Sequence, residues 1–308
     1  MPSVPSDSPC VLVAGASGML GSAVARRLLA AGYRVRGLAR NRERLQTLAD
    51  AGAEVFAADL RDAEALAMAC QGVQQLISTA NNVQGSGQLS PNRVDLAAYR
   101  ALAAAARAAA IERWTHVSVR GSAADSIVEF FRLKHQVDQV VRASGVPFVL
   151  LQPPAFMDIW IDVILADGMR KSGTATIFGS GERISNYIAV DDVADYAMAI
   201  VSRPDIRNEA IECGGPSDAS MNALVSQLEK AMGITVKRRH IPAAVLRYGS
   251  HLLRPFHEVA ARMMSLGYFS TVGAAPFPNW QLQAARFNVT PMTVETYIAK
   301  RYGKGAAA

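Results

Sequence analysis

A glycine pattern near the amino terminus constrains the fold of this chain more than any other feature. In the stretch VLVAGASGMLG, an apolar run leads directly into Gly15, Gly18 and Gly21 at three-residue spacing. Gly15 allows a tight turn, Gly18 lets another group approach the backbone, and Gly21 lets a helix pack closely on a sheet. The pattern therefore predicts a buried strand over 10–14 that turns sharply into a helix over 19–31.

The start of a helix directly after such a turn is suited to binding phosphate groups. Its first backbone N–H groups have no partner within the helix, and the helix dipole places positive charge there. Ser17 adds a hydroxyl donor, and Met19 and Leu20 contribute N–H groups of the first turn. The loop is therefore predicted to hold the pyrophosphate of a dinucleotide. A glycine-rich turn without a ligand is the alternative.

Short β-rich runs alternate with helical patterns through the first half of the chain. Further predicted strands cover 33–38, 53–57, 75–79, 114–119 and 147–151, and further predicted helices cover 42–51, 62–70, 97–111 and 126–144. This alternation is typical of a parallel sheet covered by helices on both faces. With right-handed crossovers it predicts a doubly wound α/β Rossmann fold, which binds ligands at the carboxyl ends of its strands.

The pattern changes after Gln152, and the second half is predicted to be rich in helices. An apolar helix is expected over 155–169, followed by a glycine-rich turn region over 173–181. We therefore predict an NAD(P)-binding Rossmann domain over residues 1–154 and a smaller, mostly α substrate-binding part over 155–308. Residues 183–215 are expected to return to the Rossmann sheet.

Composition and charge exclude several classes of function. The chain has 308 residues, of which 50% are hydrophobic and 19% charged, and its net charge is +6. The densest basic stretches, 34–44 and 237–240, are not interleaved with aromatic side chains, so nucleic acid is not a predicted partner. No run approaches the ~18 consecutive apolar residues that span a bilayer, so no membrane partner is predicted.

The cysteines and the amino terminus indicate the compartment. The three cysteines lie far apart, in an odd number and without metal-ligand spacing, so neither a disulfide framework nor a metal site is expected. The start MPSVPSDSP lacks the basic and apolar regions of a signal peptide. The protein is therefore predicted to be cytoplasmic. We also expect it to be a monomer or a homodimer.

Arg40 selects between the two nicotinamide cofactors. It ends the second predicted strand, where NAD-binding enzymes of this fold usually carry an acid for the ribose 2′-hydroxyl. A guanidinium binds phosphate through paired hydrogen bonds, so NADP(H) is predicted rather than NAD(H). A surface arginine at a helix start is the alternative, although a cation there opposes the helix dipole unless an anion is bound.

Two further strand ends carry candidate cofactor contacts. Asp59 and Leu60 follow the third strand, where a carboxylate can accept from the adenine amino group while the next side chain packs on the ring. The alternative role of Asp59 is to cap the helix that begins at Asp62. Ala80 and Asn81 end the fourth strand and are expected beneath the ribose or nicotinamide.

With these features, the chain resembles the short-chain dehydrogenase/reductase superfamily, in its atypical branch, and most closely the NmrA-like group. The resemblance rests on the GASGMLG loop, on Asp59-Leu60, on Lys134 with the later RASGVPFVLLQPPAFMD, and on the run YIAVDDVAD. It covers nearly the whole chain. It implies a Rossmann fold and a bound NADP(H), and it adds Pro154 to the cofactor-binding residues.

The superfamily's Tyr-x-x-x-Lys pattern is altered here. The resemblance places Lys134 at the lysine position, where it would bind the nicotinamide ribose and act as acid or base; a helix-surface lysine is the alternative. Phe130 stands at the tyrosine position, and a phenyl ring cannot relay a proton. Ser118 lies near the position at which relatives carry the catalytic serine. Because the alignment of this strand is uncertain by one residue, Val119 is an alternative for that position, and Ser122 lies just beyond it.

Apolar residues near these positions are candidates for a substrate pocket. They are Phe130, Phe156, Met157 and Trp160, and core packing of an apolar helix face is the alternative. His116 alternates with apolar neighbours and is expected in the core.

Two functions follow from the sequence. The first is an NADPH-dependent reductase that passes a hydride to a small apolar, aromatic or quinone-like acceptor, since quinone, ether and triphenylmethane-dye reductases are similar chains. The second, favoured by the missing tyrosine, is a non-catalytic NADP(H)-binding redox sensor that engages a partner. An epimerase or dehydratase is a weaker third possibility, because those relatives normally keep the tyrosine.

Overall fold

The computed structural model describes residues 8–81, 90–273 and 275–303, and these fall into two compact units. The described residues of the first unit are 8–81, 90–126, 131–152 and 193–212. Those of the second unit are 127–130, 153–192, 213–273 and 275–303.

The strands of the described residues are numbered in chain order. They are β1 (Cys10–Ala14), β2 (Arg34–Ala39), β3 (Glu54–Ala57), β4 (Gln75–Ser78), β5 (Arg113–Val117), β6 (Phe148–Gln152), β7 (Ala155–Phe156), β8 (Thr174–Phe178), β9 (Ile184–Ile188), β10 (Glu209–Glu212), β11 (Ser217–Ser220) and β12 (Lys237–Ile241).

The α-helices are numbered in the same way. They are α1 (Met19–Ala30), α2 (Gln46–Asp50), α3 (Ala63–Cys70), α4 (Pro91–Ala108), α5 (Glu129–Arg142), α6 (Asp167–Ser172), α7 (Val190–Val201), α8 (Met221–Met232), α9 (Ala243–Leu253), α10 (Glu258–Val272), α11 (Trp280–Phe287) and α12 (Val294–Tyr302). A 3₁₀ turn (Glu43–Leu45) precedes α2, and a π-helix (Asp158–Ala166) precedes α6. None of the described helices combines the length and apolar character needed to cross a membrane.

A seven-stranded sheet forms the centre of the first unit. Its strand order is β10-β6-β5-β4-β1-β2-β3, and each neighbouring pair runs parallel. From β1 the chain moves outward through β2 and β3, then returns to β4 on the other side of β1. This is the doubly wound Rossmann arrangement, which confirms the predicted fold class. Its ligand position is the crevice at the carboxyl ends of β1 and β4.

The sequence explains why this sheet is covered on both faces. Every residue of β1 is buried, as a continuous apolar run requires in a parallel sheet, and every residue of β5 is buried although three of them are polar. In α1 the buried Leu20, Val24 and Leu28 recur every four residues and form one face of the helix. Burial of that face on the sheet fixes the direction in which the helix leaves the glycine loop.

The second unit contains two smaller sheets. One has the order β11-β9-β7, with β9 antiparallel to β11 and parallel to β7, and the other pairs β8 with β12 in parallel. Its core includes the fully buried Met157, Ile161, Leu165, Ile177 and Leu224. Helices α9 and α10 pack against each other.

Two predictions for the second half are correct only in part. The segment expected as a helix over 155–169 is helical from 157 onward, as the π-helix and then α6, whereas Ala155 and Phe156 form strand β7 because they pair with β9. The turn region expected over 173–181 contains β8, in which Ala175 and Ile177 are buried in alternation. Of residues 183–215, β10 joins the seven-stranded sheet, whereas β9 pairs within the three-stranded sheet.

Candidate functional site

The loop between β1 and α1 shows why two of its glycines are required. Gly15 has a φ of +94°, and a Cβ there would lie 2.7 Å from the backbone nitrogen of Ala80. A Cβ on Gly21 would overlap the carbonyl oxygen of Gly15 and lie 2.8 Å from Thr79 Oγ1. Glycine at both positions therefore lets the loop, the start of α1 and the end of β4 meet at the crevice.

Gly18 has a different reason to be glycine. It precedes α1 with φ −82°, and the atom nearest to an added Cβ would be the Gly15 carbonyl oxygen at 3.4 Å, an ordinary contact. The packing of the protein therefore does not exclude a side chain at this position. A close approach by a bound group does explain the glycine, since the residue is exposed at the crevice.

The amino terminus of α1 is suited to binding an anion. No side chain caps its amino terminus, and no acidic residue lies in its first turn. The N–H groups and the positive end of the dipole are therefore directed toward the crevice. Ser17 is half-buried and Met19 exposed, whereas the Leu20 side chain is buried. Leu20 can therefore offer only its backbone N–H. These features fit the pyrophosphate of a dinucleotide.

The end of β4 is held rigidly against this loop. The Tyr99 hydroxyl donates to the carbonyl oxygen of Ala80 at 2.8 Å. The Thr79 hydroxyl lies 3.4 Å from the carbonyl oxygens of Ala14 and Gly15. Ala80 and Asn81 thus sit at the carboxyl edge of β4, where they were expected, with Asn81 exposed.

Charged residues follow the carboxyl ends of β2 and β3. Arg40 is exposed at the carboxyl end of β2. Asp59 accepts hydrogen bonds from Arg61 Nε at 2.9 Å and Nη2 at 3.0 Å, and these bonds, with a smaller contribution from Arg40, lower the pKa of its carboxyl group. The capping role considered for Asp59 is wrong, because Asp62 caps α3 by accepting from the Ala65 N–H at 3.0 Å. Its adenine contact stays a prediction.

A buried polar cluster connects β5 with α5. Ser118 and Ser122 both donate to Oδ2 of Asp138 at 2.8 Å. The Lys134 ammonium donates to the carbonyl oxygen of Val117 at 3.3 Å. Lys134 and Asp138 are both buried, so the alternative of a helix-surface lysine is wrong.

Burial shifts the proton affinities of this cluster. It lowers the pKa of Lys134, and the nearby carboxylates of Asp95 and Asp138 oppose that shift. It raises the pKa of Asp138, opposed by the hydrogen bonds from Ser118 and Ser122 and by the charge of Lys134. A lysine whose pKa is lowered gives up its proton more readily near neutral pH.

His116 lies beside this cluster, and its expected burial is confirmed. Its Nδ1 is 2.8 Å from the hydroxyl of Ser78, which accepts from the Trp114 indole N–H at 2.8 Å. The other ring nitrogen, Nε2, faces Oδ1 of Asp138 at 3.8 Å, and neither of these two atoms has a hydrogen-bond partner. Burial holds the pKa of His116 well below its usual range.

Asp138 is the member of the cluster that the sequence prediction missed. It follows Lys134 by four residues on α5, so the two side chains share one face of the helix. That spacing was the available signal. A carboxylate is also the expected companion of a buried lysine, because an unpaired buried charge is unfavourable.

The candidate substrate residues are spread over the second unit. Met157 is fully buried in its core, which favours the packing role. Trp160 packs edge-to-face on Phe178, with ring centroids 6.1 Å apart. Phe130 and Phe156 are half-buried, as is Pro154. Among these aromatic residues, a substrate contact stays a prediction.

Comparison with known proteins identifies the family. Residues 7–298 match the NmrA-like family. The chain belongs to the NmrA-like family. The match extends over nearly the whole chain and confirms the resemblance inferred from the glycine loop, Lys134 and the later stretches.

Proteins of similar sequence differ in what they are named for. An NAD(P)H azoreductase of Xenophilus azovorans is 28% identical over 227 residues, which cover 74% of this chain and 75% of that protein. The photosystem II assembly factor Ycf39 of Cyanophora paradoxa is 26% identical over 237 residues, which cover 77% of this chain and 73% of that protein.

A solved structure gives the same fold. The NADPH-dependent quinone oxidoreductase QOR2 of Escherichia coli superposes with a TM-score of 0.76 at 18% identity, covering 95% of this chain and 100% of that one. It has also been solved with NADPH bound. At this identity the likeness establishes the fold of the present chain.

Proposed function

We propose that this member of the NmrA-like family is an NADP(H)-dependent reductase that passes a hydride to a small apolar, aromatic or quinone-like acceptor. The observation that carries the proposal is Gly18, a glycine that packing does not require, at the uncapped start of α1. The buried Lys134 lies on a second element of the same unit. The azoreductase and the quinone oxidoreductase support the reaction class.

The residues present fit the cofactor. The amino terminus of α1 would hold the pyrophosphate, and Arg40 would pair with the 2′-phosphate that distinguishes NADP(H) from NAD(H). Lys134 would donate hydrogen bonds to the nicotinamide ribose, and Asn81 would lie beneath that end of the molecule. Bound NADPH supplies the hydride.

The proton that accompanies the hydride needs a source other than a phenol. Phe130 has no ionisable group, so Lys134 or a water held by it would deliver the proton. Ser118 would orient the acceptor, with its own proton directed to Asp138. A quinone can also take the hydride first and its proton later, from solvent, and a cationic dye is neutralised by the hydride and takes up no proton.

A second function is supported by one specific observation. Phe130 at the tyrosine position removes the usual acid, and a photosystem II assembly factor is among the relatives. The alternative is therefore a non-catalytic NADP(H)-binding regulator whose partner responds to the bound form of the cofactor.

A single experiment separates the two functions. The purified protein is screened for NADPH oxidation against quinones, azo dyes, triphenylmethane dyes and enones, beside calorimetric titration with NADPH and NADP⁺. The Gly18→Val variant is the matched control. If the protein is a reductase, it oxidises NADPH in the presence of at least one class of acceptor, and the Gly18→Val variant loses that activity. If the protein binds NADPH tightly but oxidises it with none of the acceptors, the reductase proposal is wrong and the regulator remains.

A further inference from the structure

Large apolar side chains project into solvent along one side of α9. Val245, Tyr248 and Leu252 lie on this helix, and Phe256 lies in the turn that follows it. The spacing of three and four residues places Val245, Tyr248 and Leu252 in a single row on the helix, and Phe256 follows them in the turn. Leu252 is 72% exposed and Phe256 87%. We call these four residues the α9 stripe.

The α9 stripe is additional to the face that α9 uses for packing. Leu246 is buried, and a Cβ on Gly249 would overlap the side chain of Met264 on α10. Contacts of this kind hold α9 on the second unit without using Leu252 or Phe256. Four large exposed apolar side chains so close together in the chain are unusual for a surface with no binding role, whereas scattered single ones are ordinary.

Positive charge accompanies the α9 stripe. Residues 237–262 contain one acid, Glu258, and six basic residues, which are Lys237, Arg238, Arg239, Arg247, Arg254 and Arg262. Of these, Arg238 pairs with Glu229 and Arg262 with Glu258. On α9 itself, Arg247 lies over the Tyr248 ring at 5.6 Å. Arg254, just after the helix, is exposed while it pairs with Glu129 at 2.7 Å. Helix α9 carries no acidic residue.

Charge and shape select one occupant for this surface. A second copy placed stripe to stripe would bring two basic segments together, and like charges repel. The side chains of the stripe project outward and do not line a groove for a peptide. The complementary surface is apolar, deformable and negatively charged, which describes an anionic lipid bilayer.

We propose that the α9 stripe binds the surface of membranes that contain anionic lipids. Helix α9 would lie in the plane of the interface, with Leu252 and Phe256 entering the boundary between headgroups and acyl chains. Arg247 and Arg254 would reach the lipid phosphates while their stems cover apolar surface. This inference goes beyond the proposed function. It also differs from the sequence prediction of no membrane partner, which rested on the absence of a spanning segment.

The test is co-sedimentation of the full chain with lipid vesicles. Vesicles of phosphatidylcholine alone are compared with vesicles in which about a third of the lipid is phosphatidylglycerol, at low and high salt. We expect binding to the mixed vesicles that weakens as salt screens the charges. Leu252→Glu with Phe256→Glu is expected to weaken binding by about tenfold or more, because each change removes a large inserted apolar group.

Matched variants show whether the stripe itself is responsible. Arg247→Glu should weaken binding to the mixed vesicles, and Leu252→Ala with Phe256→Ala should weaken it without adding charge. Met68→Glu, at a half-exposed methionine on α3 of the first unit, should leave binding unchanged. All variants should keep the melting temperature and the NADPH affinity of the unmutated protein, since the changed residues are exposed.

Two results would overturn the proposal. One is absence of binding by the unmutated chain to the mixed vesicles at low salt. The other is a dimer, detected by light scattering, that dissociates in the Leu252→Glu and Phe256→Glu variant while vesicle binding is unaffected. In that case a second copy of the chain covers the α9 stripe.

Discussion

Arg40 is the residue at which cofactor preference is expected to be decided. A charge-assisted hydrogen bond contributes about 1.5–3 kcal/mol, so NADPH should bind roughly ten- to a hundredfold more tightly than NADH. Arg40→Ala should erase most of that difference when both cofactors are titrated calorimetrically. Arg34→Ala, at the opposite end of β2, is the control and should preserve it. Equal affinities in the unmutated protein would contradict the assignment.

His116 is expected to make the protein less stable in acid. Its pKa is held well below the usual 6.5 by burial, so below that pH the unfolded chain binds a proton that the native ring does not. The free energy of unfolding therefore falls as the pH drops through this range, by up to about 1.4 kcal/mol per pH unit for one proton. Above the unfolded pKa this contribution is constant.

Urea unfolding at pH 7.5, 6.5 and 5.5 measures this effect. His116→Gln should reduce the pH dependence by the contribution of one proton, although it lowers stability overall by disturbing the contact with Ser78. His251→Gln, which replaces an exposed histidine, is the matched control. The same pH dependence in His116→Gln as in the unmutated protein would show that the buried ring does take up the proton.

Single residues were predicted from the sequence to different extents. Lys134 was found because the family resemblance marks its position, but its burial was not foreseen. Asp138 was missed, since a carboxylate on an amphipathic helix is usually exposed and only the fold shows that β5 covers it. The role of Asp59 as a cap was wrong because Asp62, three residues nearer the helix, accepts that hydrogen bond.

At the scale of elements, the β1–α1 loop separates structural from ligand-binding glycines. Gly18→Val should fold normally but lose NADPH binding, because the position is exposed, a Cβ there comes no closer than 3.4 Å to the protein, and the larger residue would block the approach of the pyrophosphate. Gly21→Ala should instead lower stability, since its Cβ overlaps backbone, at a cost of about 1–3 kcal/mol or more. Melting curves and calorimetry distinguish the two effects. If Gly18→Val binds NADPH with normal affinity, this loop does not bind the diphosphate of the cofactor.

The strands and helices of the first half are determined largely by neighbouring residues, whereas those of the second half depend more on residues far away in the chain. Strand β1 and helix α1 follow from a continuous apolar run and a four-residue repeat, which are visible within a short stretch. Strand β8 is stabilised by β12, whose first residue lies some sixty positions later, so the intervening sequence gives no local sign of it. The π-helix likewise depends on contacts with distant residues, including the ion pair of Asp162 with Arg301.

At the scale of the whole molecule, the fold narrows the function without deciding it. The Rossmann sheet predicts a dinucleotide, and the chains of similar sequence include both a reductase and an assembly factor. Similarity of sequence and fold therefore does not by itself decide between the two functions. The deciding evidence has to come from the residues of the site and from their behaviour in a reaction.

Lys134→Ala provides that evidence, because the possible functions predict different outcomes. If Lys134 delivers the proton, turnover with saturating NADPH falls by about 10²–10⁴-fold. If it only positions the ribose, KM for NADPH rises and excess cofactor restores most of the activity. Lys171→Ala, at an exposed lysine on α6, should change neither parameter.

The pH profile of kcat/KM adds a test of the same residue. A lysine that acts as an acid must be protonated, and burial lowers the pKa of Lys134 below its usual 10.5. Activity should therefore fall as the pH rises through that lowered value, and Lys134→Ala should lose this dependence along with the rate. If the variant keeps the same fall in activity at high pH, the proton comes from solvent and not from Lys134. The acceptor would then be one that takes up the hydride without a proton from the enzyme.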